Sequence, residues 1–233
     1  GWADGRHQNG KWEGNTDLVH RKSYITEGAT CHYTWYVPQN IQGLFNVINK
    51  SVDKSAKCLN RNVQGISQSD TMSAVVSRLD KMFDEGLYWH GNEPCHQVAY
   101  LYDAAGAPWK TQQRIHHILN TEYNDTPGGL SGNDDAGQMS AWYVFSAIGF
   151  YPVCPSTPYY YIGTPSFDKV TFNLENGKKF EIQAHGVGDK AFYIQKTLLN
   201  GKPMSGYQLS HDDILKGGNL EFWMGERPAN ESK

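Results

Sequence analysis

The sequence predicts an α + β chain, helical first and an antiparallel β module thereafter, and three observations predict it. Apolar residues recur at helical spacing as far as residue 154. From Tyr159 onward they alternate with a period of two, and Asn200-Gly201 stands between two alternating runs as a tight-hairpin signal. The expected division is therefore residues 1–154 and residues 155–233.

In chain order, Ala29–Val37 and Ile41–Asn49 carry short helical patterns. Met72, Val75, Val76, Leu79, Met82 and Phe83 then fall at i, i+3, i+4, i+7, i+10 and i+11. Ser69 and Asp70 stand before them as capping candidates and Gly86 after them, so this is the clearest amphipathic helix. His96–Ala105 reads as a further helix. Trp109–Tyr123 follows Pro108 in its first turn and sets Ile115, Ile118, Leu119 and Glu122/Tyr123 along one side. Gln138–Ile148 is apolar nearly all round, which predicts burial on every side. Tyr159–Ile162, Lys169–Asn173, Phe180–Ala184, Phe192–Gln195 and Leu220–Trp223 read as strands.

Composition narrows the function classes. The 21 basic and 24 acidic residues leave a formal charge of −3 with no Lys/Arg cluster, which argues against nucleic acid or an anionic membrane as partner. The most apolar stretch, Ala141–Val153, is broken by Ser146, Gly149 and Pro152 and falls short of the roughly 18 residues a membrane span needs. Cys31, Cys58, Cys95 and Cys154 lie far apart with no C-x-x-C pair, so neither a zinc knuckle nor a dense disulfide framework fits. The chain opens without an initiator Met or a signal core, and is expected to be a processed, engineered or truncated piece. Its surplus is aromatic: 7 Trp, 14 Tyr and 9 Phe interleave with Asn, Gln, His and Gly, a mixture suited to hydroxyl-rich ligands or to large cores.

Three polar clusters lie in the helical part. Thr26-Glu27-Gly28 precedes an aromatic run containing Trp35, and Glu27 reads as a helix-start carboxylate or as an acid. Trp89-His90-Gly91-Asn92-Glu93-Pro94 places a ring, a proton carrier and two hard oxygen ligands in one turn. Oxygens of that kind suit Ca²⁺ better than Zn²⁺. Gly132-Asn133-Asp134-Asp135-Ala136-Gly137 sets two adjacent carboxylates at a helix entrance, where they repel unless a dipole, a cation or a proton compensates. One can cap the helix, or one can hold a water as base while the other orients a partner. Paired carboxylates in a sugar-compatible setting are what glycoside hydrolysis uses.

Thr26-Glu27-Gly28 through Val37-Pro38-Gln39, His90-Gly91-Asn92-Glu93-Pro94, Pro108-Trp109-Lys110-Thr111-Gln112 and the block from Gly132 to Val153 closely resemble glycoside hydrolase family 92, the calcium-dependent exo-α-mannosidases. The resemblance implies that residues 1–154 form late helices of an (α/α)6 barrel. It also implies that an N-terminal part of the same enzyme, bearing a β-sandwich, is the chain's partner. The implied activity is inverting removal of terminal α-linked mannose, α-1,2-linked, from N-glycan-type substrates in the periplasm or outside the cell. Glu27 is implied as the general acid and Asp135 as the general base, with Asp134 the other base candidate. Asn92 and Glu93 are implied as calcium ligands, and Trp89, His90 and Trp35 as the mannose wall. Inversion would set the acid and base carboxyls about 6.5–9.5 Å apart. The chain departs from the family pattern at Ala29-Thr30-Cys31-His32, where many members carry Asn-Ala/Ser-Trp-Gln, and at Asn133, where some carry an acid.

Two other readings use the same residues. A non-catalytic carbohydrate-binding module would hold calcium on its acidic loops without turnover. A metal-dependent hydrolase of another type would use His90 and His96 as ligands.

Overall fold

The computed structural model describes residues 2–14, 17–58 and 68–229, with the side chains of 51–58 and 68–73 left aside. The side chains of Ser69, Asp70, Met72 and Cys58 therefore lie outside what is described, while the backbone of Ser69 and Asp70 lies within a helix that already includes Gln68. The chain forms two compact units, Gly1–Val98 and Ala99–Lys233.

The first unit holds α1 (Thr30–Thr34), α2 (Ile41–Cys58) and α3 (Gln68–Asp84), with short 3₁₀ turns at Pro38–Asn40 and Glu93–Cys95. Helix α1 is shorter than its pattern, which reached Val37. The ring of Pro38 disfavours helical geometry in the residue before it, and Val37 adopts φ −131° and ψ 57°. Helix α2 runs past the expected end at Asn49, since no Gly or Pro interrupts the sequence between Leu44 and Gln64. The periodicity of α3 is met: Val75, Leu79 and Met82 are fully buried and join Trp35, Phe45 and Ile48 in the core of this unit.

The expected helix over His96–Ala105 is instead a 3₁₀ turn at Val98–Tyr100 followed by the single turn α4 (Leu101–Ala104). Every residue from Val98 to Asp103 is buried, so packing on all sides, rather than one apolar face, sets this backbone.

The second unit carries α4, α5 (Pro108–Thr121) and α6 (Gln138–Ile148), then β1 (Phe150–Tyr151), β2 (Tyr159–Ile162), β3 (Lys169–Asn173), β4 (Lys179–His185), β5 (Tyr193–Leu199), β6 (Lys202–Pro203), β7 (Gln208–Ser210), α7 (His211–Leu215) and β8 (Gly218–Gly225). Pro108 opens α5 as expected. Gly149, at φ +115°, closes α6 by donating its N–H to the carbonyls of Phe145 and Ser146. The expectation that α6 is buried all round is corrected. Met139, Trp142, Ser146, Ala147 and Ile148 face inward, whereas Ala141, Tyr143 and Val144 are exposed. Helix α6 packs against α5 and β1 with one face only, and apolar composition alone could not say which.

The strands form two sheets, ordered β1-β2-β7 and β3-β4-β8-β5-β6. Asn200 (φ 51°) and Gly201 (φ 75°) make the two-residue turn that sets Leu199 opposite Lys202, as the Asn-Gly signal requires. The wholly antiparallel expectation is corrected at one pairing: β4 and β8 are parallel, with Ile182 opposite Leu220. Between β6 and β8 the chain pairs β7 into the other sheet and turns through α7, and so re-enters alongside β4 in the same direction. Phe180, Ile182 and Ala184 alternate inward on β4. They meet Leu220 and Phe222 of β8, with Phe150, Ile162, Leu209 and Ile214, in one core.

Phe222 is fully buried in that cluster. Phe222→Ala is expected to cost about 3–5 kcal/mol of folding stability, read as a lower urea midpoint at unchanged slope. A loss under about 1 kcal/mol would show that the core lies elsewhere.

Candidate active site

In the first unit, Glu27 stands exposed on the turn that enters α1. The capping account of this carboxylate does not hold, because Ala29 is the N-cap and no acidic residue lies in the first turn of α1. Gly28 follows at φ +77°, a conformation that costs a side-chain-bearing residue about 1 kcal/mol or more. It is also tightly enclosed. A Cβ there would lie 2.8 Å from His32 Nδ1 and 2.9 Å from Asn92 Nδ2. Only glycine lets the Glu27 turn approach the Asn92 turn this closely, so two clusters that are 65 residues apart in sequence come together.

Asn92 is 2% exposed, and both its Oδ1 and its Nδ2 are buried with no hydrogen-bond partner among the described residues. A buried amide without partners is costly, about 1–3 kcal/mol for each group left unmade, and it calls for a ligand. Glu93 is half-buried beside it and opens the 3₁₀ turn, with Pro94 at the next position. The phenol of Tyr33 is pushed up by its own burial and then by the charges of Glu27 and Glu93, so both carboxylates act on one ring.

The Asn92 amide oxygen and the Glu93 carboxylate are hard donors of the kind calcium accepts, and the orphaned Oδ1 fits a cation. Among the described residues no group of three or more His, Cys, Asp and Glu side chains could hold a metal ion. His90 and His96 are occupied otherwise. The His90 Nδ1 is hydrogen-bonded to the Tyr88 hydroxyl at 2.7 Å, and His96 Nε2 donates to the His90 carbonyl at 3.0 Å. Their rings lie 5.0 Å apart. Burial, and then the charge of His96, push His90 down to about 2, so it is a neutral imidazole at any working pH.

Of the rings expected to face sugar, Trp89 is 42% exposed and lies 6.0 Å from the His32 ring. Trp35 is corrected: it is fully buried and packs edge-on against Trp2 at 6.4 Å, so it is a core residue. His90 is likewise buried rather than open. Cys31 and Cys95 are buried free thiols, and burial pushes Cys95 up to about 12.

In the second unit, the loop before α6 separates the two adjacent carboxylates. Asp134 turns inward, and its Oδ1 accepts from both the backbone N–H and the Oγ of Ser140 at 2.9 Å. It caps the helix entrance and satisfies donors that would otherwise be unpaired. Asp135 is exposed, with its backbone at φ 46°, followed by Ala136 at φ 57° and Gly137 at φ 94°. Two successive non-glycine residues in the left-handed region hold strain of about 1–3 kcal/mol each, a cost that recurs where a loop is fixed for function. A cleft in the same unit, lined by His116, Asn120, Asp189 and Phe192, holds none of the residues singled out from the sequence.

The profile of the glycosyl hydrolase family 92 catalytic domain matches residues 1–226. The chain belongs to glycosyl hydrolase family 92. It is similar to a family GH92 α-mannosidase from Bacteroides thetaiotaomicron, with 40% identity and a TM-score of 0.83 over 99% of this chain and 29% of that one. It is also similar to a family GH92 inverting mannosidase from the same organism, with 34% identity and a TM-score of 0.82 over 98% of this chain and 32% of that one. A protein named an uncharacterised secreted glycosidase, from Arthroderma benhamiae, is 34% identical over 161 residues, 68% of this chain and 21% of that protein. The chain thus spans at most about a third of the length of these relatives.

This family 92 chain also buries two polar residues that the sequence did not single out. His32 sits at the third position of α1, and its Nδ1 accepts from the Ala29 N–H at 3.0 Å. The spacing of a polar side chain three residues after the cap could have shown it. Asp103 is buried with no hydrogen-bond partner on either carboxyl oxygen among the described residues. Burial raises it well above the usual carboxylate range, and Thr111 acts in the opposite sense. Nothing in the local sequence Leu101-Tyr102-Asp103-Ala104 distinguishes it from a surface aspartate. Among the described residues, no helix is long and apolar enough to cross a membrane.

Proposed function

We propose that the chain is part of a calcium-assisted, inverting exo-α-mannosidase that removes terminal α-1,2-linked mannose from N-glycan-type substrates in the periplasm or outside the cell. In this reading residues 1–154 are late helices of an (α/α)6 barrel, completed by an N-terminal part of the same enzyme. The observation that carries the reading is the buried, partnerless amide of Asn92, held against Gly28 beside the exposed carboxylate of Glu27. The inverting mannosidase among its structural relatives supports the stereochemistry.

Glu27 holds the proton that passes to the leaving glycosidic oxygen, and Asp135 takes a proton from the water that attacks the anomeric carbon on the opposite face. Asp134 is the other base candidate, and the use of its Oδ1 to accept from Ser140 favours Asp135. Asn92 Oδ1 and Glu93 would hold calcium, which when bound supplies a positive grip on the mannose hydroxyls. The exposed ring of Trp89 gives the sugar an apolar surface.

The test is mannose release from α-1,2-mannobiose by the full-length enzyme, with the first-formed anomer followed by NMR. The expected product is β-mannose. Turnover should be lost on calcium chelation, restored by added calcium and indifferent to a zinc-selective chelator. Sugar binding without turnover would establish the non-catalytic module, α-mannose as first product would overturn inversion, and insensitivity to calcium removal would overturn the assignment of Asn92 and Glu93.

A further inference from the structure

The residue after the proposed acid is the softest point in its support. Gly28 has no side chain to restrict it and sits at φ +77°, so rotation about the Gly28–Ala29 segment would swing Glu27. One side chain constrains that segment from within the fold. His32 is 7% exposed, and its Nδ1 accepts from the Ala29 N–H at 3.0 Å, closing a ring of four residues directly behind Gly28. The acceptor nitrogen must carry a lone pair. Burial, which lowers the affinity of this imidazole for a proton, favours that state, and the Leu87 carbonyl acts on the ring in the opposite sense.

The same ring reaches the other half of the site. It lies 6.0 Å from Trp89, tilted by 50°, and the Leu87 carbonyl that acts on it also accepts from Cys31 Sγ at 3.5 Å. A side-chain carbon placed on Gly28 would touch His32 Nδ1 and Asn92 Nδ2 together. The acid-bearing turn, the imidazole and the buried amide therefore meet at one point.

We propose that His32 is a positioning residue that fixes the Glu27–Gly28 turn against the Trp89–Glu93 turn and so aims the acid at the leaving oxygen. This rests on the reading of Glu27 as general acid. His32 is 7% exposed and holds the Ala29 N–H, so its effect on the reaction should pass chiefly through the aim of Glu27. Displacement of a reacting group by about 1 Å costs on the order of 100-fold in rate, so loss of this support should be visible in turnover rather than in affinity.

The experiment compares His32→Ala, His32→Leu, His32→Asn and Glu27→Gln in the full-length enzyme on α-1,2-mannobiose and on 2,4-dinitrophenyl α-mannoside, whose leaving group needs little protonation. His32→Leu fills the volume without an acceptor, which covers the case where the alanine variant does not fold. His32→Ala and His32→Leu should lower kcat on mannobiose about 10–100-fold with KM within about twofold, and leave the activated substrate within about threefold. His32→Asn, whose Oδ1 can accept the Ala29 N–H, should recover most of the mannobiose rate. Equal losses on both substrates, a change confined to KM, or wild-type rates in His32→Leu would overturn the inference. If Glu27→Gln is selective between the substrates and the His32 variants are not, only the role of His32 fails. If Glu27→Gln loses both substrates equally, the assignment of the acid itself fails.

Discussion

Glu27→Gln in the full-length enzyme is expected to lower kcat on α-1,2-mannobiose by about 10²–10⁴-fold, the range that a positioned general acid contributes. Cleavage of 2,4-dinitrophenyl α-mannoside should stay within about tenfold of wild type, because dinitrophenolate departs without a proton. The substitution keeps the shape of the side chain and removes only the acid, and the exposed position of Glu27 makes a folding defect a poor explanation of any loss. Parallel losses on the two substrates would remove Glu27 from the role.

Asp135→Ala should behave differently, with a loss of about 10²–10⁴-fold on both substrates, since attack by water is needed whatever the leaving group. The contrast with its neighbour is the sharper part of the prediction. Asp134→Asn keeps an oxygen that accepts from Ser140 while removing the charge, and should cost less than about 1 kcal/mol of stability, with kcat retained within severalfold. An inactive but folded Asp134→Asn beside an active Asp135→Ala would exchange the two assignments.

Much of this architecture is legible in the sequence where one periodicity dominates. Val75, Leu79 and Met82 declare the buried face of α3, and Tyr159–Ile162 and Lys169–Asn173 emerge as strands at their expected bounds. Legibility ends where tertiary packing overrides local pattern. The break at Val98–Tyr100 follows from burial on all sides, and the parallel pairing of β4 with β8 depends on a departure into another sheet that no local run encodes. The site divides in the same way. Asn92 and Glu93 stand out by residue type, as two hard oxygens in a Gly/Pro-bent turn, and the structure adds the burial of Asn92. The placement of Trp35 could not be read, because an aromatic beside a polar cluster serves a core and a sugar wall equally well in sequence, and only its complete burial decides. Gly28 shows the limit most clearly: its φ of +77° is an ordinary reason for a glycine, and its contact with Asn92 exists only in three dimensions.

The left-handed run at Asp135, Ala136 and Gly137 bears on how this loop would respond to selection. Glycine at either of the first two positions would relieve backbone strain, so variants chosen for heat resistance alone should accumulate there and drift away from the carboxylate. Variants chosen for mannose release should keep Asp135 and be driven to seek their stability in the sheet core instead.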